Sequence, residues 1–323
     1  MQFLAVDIGG TEVKIGIVDD KGNVLRKTSC SANYDNYETP LLKITLEGAR
    51  RFVLEAAEEK GVRTSSPQEA AAALELGGIG IATTGMVDKK RGRIAGAAAH
   101  IPHFLGSEFK QVFEEAFGLE TQVMNDANSA AVAEHWTGSA KGCDNALILT
   151  LGTGIGGGII VGGRILEGAH GYAGEVGHIV IKKDGPMTHS GNHGTYEFYG
   201  ATKALVHLAE MRFEAAGLPV PEGGLNGRLI FEAVAAGNET AAATVRDWID
   251  DIAVGIVNLI YIFDPEIVVI GGGVSVQLEL LIKPLEEAVR RELMPVFAEK
   301  LKMVPATHGN DAGMIGAVYG FLQ

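Results

Sequence analysis

Cysteine is scarce in this chain of 323 residues, which contains only Cys30 and Cys143. The two lie far apart and belong to no ligand pattern, so neither a disulfide framework nor a cysteine-based metal site is expected. Apolar runs of membrane-spanning length are missing too. The first segment, MQFLAVDIGG, lacks a basic region and carries Asp7 inside its apolar run, which indicates a strand rather than a signal peptide. These absences predict a cytoplasmic protein.

Positive charge is also in short supply. The chain has 27 Lys and Arg against 40 Asp and Glu, a formal net charge of −13, and its longest run of basic residues is the short Lys89-Lys90-Arg91. The expected partner is therefore a small molecule, and neither a nucleic acid nor a membrane is expected. Because 323 residues exceed what one hydrophobic core usually serves, the length predicts two domains.

Two segments share one pattern of strand, glycine turn, strand, turn and strand. They are FLAVDIGGTEVKIGIVDDKGNVL near the start and LILTLGTGIGGGIIVGGRILEG from Leu147. Apolar residues at helical spacing follow the first ribbon up to Gly61, and a long, largely apolar helix is predicted from about Glu239 to Ile262. The pattern predicts two similar α/β halves, each an antiparallel ribbon beside parallel strands, with a cleft lined by the glycine turns.

Shorter segments complete this organisation. Strands are predicted at GGIGIAT, TQVMN and EIVVIGGGVS. Helices are predicted at SEFKQVFEEAFG, at ANSAAVAEHW and in the C-terminal segment GNDAGMIGAVYGFLQ, whereas TTGMVDKKRGRI is predicted to be rich in turns.

Glycine-rich turns are candidates for phosphate binding, because backbone amides approach a polyphosphate closely only where no side chain intervenes. The candidates are Gly9-Gly10-Thr11, Gly152-Thr153-Gly154 and Gly271-Gly272-Gly273. A P-loop is excluded because the chain has no Gly-Lys dipeptide. A dinucleotide fingerprint must open a helix, whereas GTGIGG precedes the strand-like GIIVGGRIL. One such turn is usually an ordinary hairpin, but three of them, two within repeated ribbons, favour phosphate binding.

Asn125 and Asp126 stand where the predicted strand TQVMN gives way to a helix. Asp is a favoured helix N-cap, and most acids at such a junction serve only as caps. A carboxylate at the carboxyl end of a central strand is also where ligands of α/β proteins bind. Both interpretations of Asp126, cap and general base, stay open, and only the second also accounts for the glycine turns.

Three histidines, His178, His189 and His193, lie within sixteen residues that also contain acids, glycines and a proline. Imidazole is the commonest transition-metal ligand, so a metal site is one hypothesis. The spacing matches neither the H-x-x-x-H pair of a metalloprotease helix nor a cysteine knuckle. The residues alone therefore leave the question of a metal open.

Several motifs are more specific in combination. They are DIGGTEVKIGIVD, NDANSAAVAE, LGTGIGGGIIVGGRILEGAHGYAGEVGH, DPEIVVIGGGVS and NDAGMIGAVYG. The first three resemble the first phosphate motif, the catalytic-base motif and the signature of the ROK sugar kinases, and the last two together resemble their adenosine-binding end. The ROK sugar kinases are a family of the hexokinase and actin-like ATPase superfamily. The resemblance covers the whole chain. It implies a two-lobed actin/hexokinase-like (ribonuclease H-like) α/β fold with a central cleft.

The resemblance also implies roles for particular residues. Asp126 is the expected base that takes the proton of a sugar 6-hydroxyl, and Asn125 is expected to hold neighbouring hydroxyls. The other implied sugar-binding residues are Glu175, His178, Glu197 and His100, the last at a position where many members have Asn. The implied residues for ATP and Mg²⁺ are Asp7, Gly9, Gly10, Thr11, Lys14, Gly152, Thr153, Gly154, Gly271, Gly272 and Gly273.

The chain departs from the zinc-bearing members of the family. Those members have C-x-C-G-x-x-G-C-x-E after Glu-x-Gly-His, whereas THSGNHGTYE offers Thr188, Ser190 and Thr195 at the cysteine positions. Only His178 is kept among the implied zinc ligands, so no structural zinc is expected. In this respect the chain resembles Gram-positive N-acetylmannosamine and β-glucoside kinases.

The implied activity is ATP- and magnesium-dependent phosphorylation of the 6-hydroxyl of a hexose or hexosamine of the glucose or N-acetylmannosamine type. A β-glucoside kinase is the alternative, because the sequence does not show how far the site tolerates an anomeric substituent. A sugar-sensing regulator would need a helix-turn-helix domain ahead of Phe3, and a chaperone-like or filament ATPase would have no use for the sugar-binding residues. The expected lobes are 1–120 with 306–323, and 121–305, and the expected assembly is a homodimer.

Overall fold

The computed structural model describes residues 1–96, 101–188 and 191–323, and the chain forms two compact units. The first unit consists of Met1–Lys141, Ile165–Ala173 and Asn310–Gln323, and the second of Gly142–Arg164 and Gly174–Gly309. Among the described residues, no helix is long and apolar enough to cross a membrane.

Most segments predicted from the sequence form the expected elements. The strands within the described residues are β1 (Gln2–Ile8), β2 (Glu12–Asp19), β3 (Val24–Ser31), β4 (Leu76–Thr83), β5 (Met86–Asp88), β6 (Arg93–Gly96), β7 (Thr121–Asn125), β8 (Ala146–Leu151), β9 (Ile155–Val161), β10 (Arg164–Ile165), β11 (Ile267–Gly271) and β12 (Met303–Pro305). The α-helices there are α1 (Leu41–Glu59), α2 (Pro67–Ala73), α3 (Phe109–Phe117), α4 (Asp126–Trp136), α5 (Tyr196–Gly200), α6 (Thr202–Ala215), α7 (Gly227–Ala235), α8 (Glu239–Phe263), α9 (Lys283–Glu292), α10 (Pro295–Ala298) and α11 (Ala312–Val318). The segment TTGMVDKKRGRI, predicted to be rich in turns, contains most of a short hairpin formed by β5 and β6. These strands have three and four residues, too few for an alternation of apolar residues to reveal them.

The first unit contains a sheet with the strand order β3-β2-β1-β4-β7. β1, β2 and β3 form the predicted antiparallel ribbon, and β4 runs parallel to both β1 and β7. In this register Ile8 pairs with Thr83, and Thr83 pairs with Asn125. The residues that follow β1 and β7 therefore emerge at the same edge of the sheet.

Aromatic packing supports one face of this sheet. Phe109, Phe113 and Phe117 recur every four residues along α3, are buried, and lie 5.8 to 6.4 Å apart between successive ring centroids. Burying one such side chain stabilises the fold by about 1.5–3 kcal/mol. Phe52 of α1 joins the same core. The sheet whose edge carries the residues after β1 and β7 is thus supported by a well-packed aromatic core.

The second unit repeats the arrangement with the strand order β10-β9-β8-β11-β12. β8 and β9 are antiparallel, and β11 runs parallel to both β8 and β12. The long helix α8 buries a wide side that includes Trp248, Ile252 and Ile256. The predicted antiparallel ribbon beside parallel strands is therefore present in both units.

The expected lobe boundaries differ from the units that the structure forms. β7 and α4 lie in the first unit, because β7 pairs with β4 and α4 packs against α11. The segment Ile165–Ala173 also belongs to the first unit, where Glu167 forms an ion pair with Lys89. A sequence pattern identifies strands but not the sheet that each one joins, which explains the displaced boundary near residue 121.

Candidate functional site

The first glycine turn connects β1 to β2. The amide of Gly9 donates to the carbonyl of Glu12 (2.9 Å), and the carbonyl of Thr11 accepts from the amide of Ala32 (2.9 Å). The carbonyl of Gly10 accepts from the hydroxyl of Tyr37. Tertiary contacts to Gly10 and Thr11 therefore fix the turn through carbonyl oxygens.

Asp7 and Lys14, both expected near ATP, face each other across the ribbon below this turn. The Lys14 ammonium lies 3.1 Å from Asp7 Oδ2 and 3.1 Å from the carbonyl oxygen of Asn310. Burial raises the pKa of Asp7 above its ordinary value, although the Lys14 charge and its hydrogen bond act in the opposite direction. A buried carboxylate of this kind gains from a nearby cation, and its oxygens are the donor type that Mg²⁺ prefers.

Asn125 and Asp126 divide the roles that the sequence left open. Asn125 is the N-cap of α4, because its Oδ1 accepts from the amides of Ala127 (3.0 Å) and Asn128 (3.1 Å). Its Nδ2 donates to the carbonyl of Gly85 (3.1 Å). Asp126 is the first residue of α4, and its Oδ1 accepts from the amide of Ala127 (2.8 Å). The capping role therefore falls on Asn125, which the sequence interpretation had assigned to sugar hydroxyls.

The second glycine turn connects β8 to β9 and is held by a carboxylate. Gly152 donates to the carbonyl of Gly154 (3.0 Å), and Glu197 Oε2 accepts from the amide of Ile155 (3.2 Å). A Cβ atom on Gly154 would lie 3.1 Å from Glu197 Cδ and still closer to Oε2. Gly154 does not have a positive φ, so the glycine serves here to leave space for the Glu197 carboxylate, which a side chain would displace.

Three of the implied sugar-binding residues, Glu175, His178 and Glu197, gather beside this second turn. Glu175 precedes a 3₁₀ turn that ends at His178, and its Oε2 lies 3.9 Å from His178 Nε2. Burial raises the pKa of Glu175, the nearby His178 lowers it, and the charge of Glu197 raises it further. The structure thus brings Glu175, His178 and Glu197 into one electrostatically coupled group within the second unit.

Two aromatic residues that the sequence analysis did not assign to the site hold Glu197 in place. The Tyr196 hydroxyl donates to the carbonyl of Ile252 (2.9 Å), and its burial raises the pKa of the phenol. Trp248 Nε1 donates to the carbonyls of Gly200 (3.0 Å) and Ala201 (3.1 Å) at the end of α5. These three bonds tie α5 and the residue that follows it to α8. The sequence signal was limited to the presence of two aromatic residues, which is typical of any core.

The third glycine turn follows β11. Gly272 has a φ of 92° and would place a Cβ atom 2.7 Å from the carbonyl carbon of Leu151. The hydroxyl and the amide of Ser275 both donate to the Gly272 carbonyl (2.8 and 3.1 Å). Packing against β8 therefore accounts for Gly272, and the expected contact of Gly271, Gly272 and Gly273 with the nucleoside stays a prediction.

The histidine-rich segment is only partly described. His189 and Ser190, together with the candidate sugar ligand His100, lie outside the described residues. His193 Nδ1 lies 3.1 Å from the carbonyl oxygen of Gly185, and the Thr188 hydroxyl donates to the carbonyl of Asn192 (2.9 Å). Within residues 1–96, 101–188 and 191–323, no group of three or more His, Cys, Asp or Glu could hold a metal ion.

Comparison with known proteins identifies the family. The model of the ROK family matches residues 3–323. The chain belongs to the ROK family. It is 32% identical to a β-glucoside kinase of Listeria monocytogenes over 100% of this chain and 98% of that protein. Among solved structures it is similar to a ROK family glucokinase of Streptomyces griseus in complex with glucose and AMPPNP, with a TM-score of 0.78, 30% identity and 98% coverage of both chains.

A further solved structure is similar over nearly its whole length. It is a Listeria monocytogenes protein for which N-acetylmannosamine kinase activity has been suggested, with a TM-score of 0.80, 30% identity and coverage of 100% of this chain and 99% of that one. These likenesses confirm both the family and the actin/hexokinase-like α/β fold class predicted from the motifs.

Proposed function

We propose that this ROK protein is a sugar kinase that transfers the γ-phosphoryl group of ATP to the 6-hydroxyl of a hexose or hexosamine, giving ADP and a sugar 6-phosphate. The observation that carries the proposal is the group of Glu175, His178 and Glu197 beside the second glycine turn. Carboxylates and imidazole bind sugar hydroxyls, and turn amides bind phosphate. Both ligand chemistries therefore occur together within one unit.

Asp126 carries the proton transfer in this proposal. Its carboxylate takes the proton of the sugar 6-hydroxyl while that oxygen attacks the γ-phosphorus and the bond to the departing ADP oxygen breaks. Support comes from the place of Asp126 directly after β7, at the sheet edge that the first glycine turn also occupies. Asn125 positions Asp126 by capping α4 and by its bond to Gly85.

The residues near Asp7 fit a magnesium–nucleotide substrate. When bound, Mg²⁺ supplies positive charge that offsets the charge developing on the phosphates. Asp7 would hold the ion. Lys14 forms an ion pair with the Asp7 carboxylate, and in this proposal its ammonium also contacts a phosphate oxygen. The burial that raises the pKa of Asp7 makes a cation there more favourable.

Glucose and N-acetylmannosamine are the proposed acceptors. Glu175 gains from hydroxyl donors, because burial removes part of its hydration and raises its pKa. A β-glucoside kinase is a second candidate, which the 32% identity to the β-glucoside kinase of Listeria monocytogenes supports. The homodimer stays a prediction, and light scattering of the purified protein would check it.

A substrate panel tests the proposal. The purified protein is incubated with ATP, Mg²⁺ and glucose, N-acetylmannosamine, N-acetylglucosamine or cellobiose, and ADP release is followed, with Asp126→Asn as the matched control. We expect glucose or N-acetylmannosamine to give the highest kcat/KM and a 6-phosphate by ³¹P NMR. A clear preference for cellobiose would favour the β-glucoside kinase. Sugar binding without ADP release from any acceptor would contradict the kinase assignment.

A further inference from the structure

Tyr37 is the side chain that holds the first glycine turn. Its hydroxyl donates to the carbonyl oxygen of Gly10, the middle residue of the Gly9-Gly10-Thr11 turn. We infer that Tyr37 is a positioning residue for this turn and that it sets nucleotide affinity through the backbone of Gly10. The inference rests on the proposed function, in which this turn receives phosphate oxygens.

Peptide geometry explains how a bond to a carbonyl can act on a phosphate. The peptide between Gly10 and Thr11 is planar and trans, so its C=O and N–H point in opposite directions. Holding the Gly10 oxygen therefore also fixes the direction of the Thr11 amide. Among the residues that the structure describes, the Gly10 and Thr11 amides have no acceptor within the protein, whereas the Gly9 amide is used by Glu12. These two amides are the donors left for a phosphate.

The segment that delivers Tyr37 has an uncommon backbone. Asn36 and Tyr37 have φ values of 56° and 63°, in a region that large side chains avoid. Such conformations persist where surrounding contacts over-determine them, and they cluster at functional sites. Here the Asn36 amide donates to the carbonyl of Asn33 (3.0 Å), and Asp35 Oδ2 accepts from the amide of Thr39 (2.9 Å).

The ring of Tyr37 is held by packing against other side chains. It is partly buried and packs against the apolar core of the first unit, which includes Phe52 and Leu41. Tyr34, three residues earlier, is 66% exposed, and its hydroxyl lies 3.2 Å from Thr39 Oγ1. The segment therefore offers two tyrosine hydroxyls in different roles: one contacts the phosphate turn, and the other contacts only its own loop.

Tyr37 and Tyr34 allow a matched test of what the Tyr37 hydroxyl does for nucleotide affinity. Tyr37→Phe removes only the hydroxyl, and we expect the Kd for AMPPNP and the KM for ATP to rise about five- to tenfold, the usual effect of one lost hydrogen bond. The KM for sugar should stay within about twofold of the wild-type value, and the melting temperature within about 2 °C, because the Tyr37 ring keeps its packing. Tyr34→Phe should leave all four values unchanged.

The direct AMPPNP titration separates this inference from the kinase assignment. Wild-type protein that binds AMPPNP but phosphorylates no sugar would contradict the proposed function and leave the Tyr37 comparison measurable. Unchanged AMPPNP affinity in Tyr37→Phe would overturn the inference, and so would an equal loss of sugar affinity or an equal effect of Tyr34→Phe. Wild-type protein that fails to bind AMPPNP would overturn both.

Discussion

The two glycine turns come from one repeated pattern, yet different tertiary partners hold them. In the first unit, Tyr37 contacts the Gly10 carbonyl from a loop that contributes no implied sugar ligand. In the second unit, Glu197 accepts from the Ile155 amide, and Glu197 is itself an implied sugar ligand. A change at the first turn is therefore expected to act on nucleotide alone, whereas a change at the second that displaces Glu197 is expected to act on both ligands.

The largest expected effect separates chemistry from helix capping at the edge of the first sheet. Asp126→Asn should lower kcat by about 10²- to 10⁴-fold, the usual range for a lost general base, while sugar affinity and the melting temperature change little. Steady-state kinetics with glucose and N-acetylmannosamine measure this loss.

Asn125→Ala is the partner of that experiment. It removes the side chain that caps α4 and should cost about 1 kcal/mol of unfolding free energy. Its effect on kcat should be much smaller than that of Asp126→Asn, because only the positioning of the base is disturbed. Near-normal turnover in a folded Asp126→Asn protein would remove Asp126 from the chemistry.

The next effect tests whether the second turn couples the two ligands. A methyl group on Gly154 would displace Glu197, so Gly154→Ala should weaken both ATP and sugar by about 10- to 100-fold. A Cβ atom on Gly152 has its nearest neighbour at 4.0 Å, so Gly152→Ala fits the folded protein. That variant should weaken ATP alone, if phosphate occupies the space beside the turn.

Binding of AMPPNP and of sugar, each measured by calorimetry, distinguishes the two variants. A Gly154→Ala protein that loses only nucleotide affinity would show that Glu197 does not link the ligands. A Gly152→Ala protein with normal nucleotide affinity would remove the phosphate role from this turn.

A smaller effect concerns the pH dependence of stability. Burial raises the pKa of Glu175 above its ordinary 4.5, so the folded protein binds that proton more tightly than the unfolded chain does. This contribution to stability is present below pH 4.5 and is lost as the pH rises through the raised folded value. Glu175→Gln removes the titration and should be the more stable protein at neutral pH, although it binds sugar more weakly.

Urea unfolding of both proteins between about pH 4 and about pH 7 measures the difference. Glu222→Gln, the same exchange at an exposed loop position, is the control for the chemical change itself. A stability difference that does not grow with pH would contradict the assignment of a half-buried, ionised Glu175.

The smallest effect is expected from a chelator. With magnesium resupplied, EDTA should leave the melting temperature and activity unchanged, because the segment after His178 has internal supports. Lys182 forms an ion pair with Asp251 (2.7 Å) and lies 4.1 Å from the centre of the Tyr199 ring. Lys182→Gln should therefore lower the melting temperature more than EDTA does. One zinc per chain by elemental analysis, lost in His189→Ala, would overturn this prediction.

Local patterns explain which parts of the molecule were predictable. Alternating apolar residues and glycine turns revealed both ribbons, and apolar spacing revealed α8 to within one residue at its C-terminal end. The motifs identified the family because their glycines and acids are spaced over many residues. The cap of α4 was not resolved, because Asn125 and Asp126 are both good caps and only backbone geometry selects between them.

The amino-acid order alone determined the two ribbons, their main parallel strands, several helices including α8, the family, and the residue types that can bind phosphate and sugar. Periodicity and turn chemistry act over a few neighbouring residues, which is why these features are readable locally. Packing decided the rest. It assigned β7 to the first sheet, brought Glu197 against Gly154, and aimed the Tyr37 hydroxyl at Gly10. The smallest separation along the chain among these contacts is the 27 positions between Gly10 and Tyr37, and the Ile155 amide that Glu197 also holds lies 42 positions from Glu197. No local pattern reaches across such a separation, because the contact exists only after distant elements have packed together.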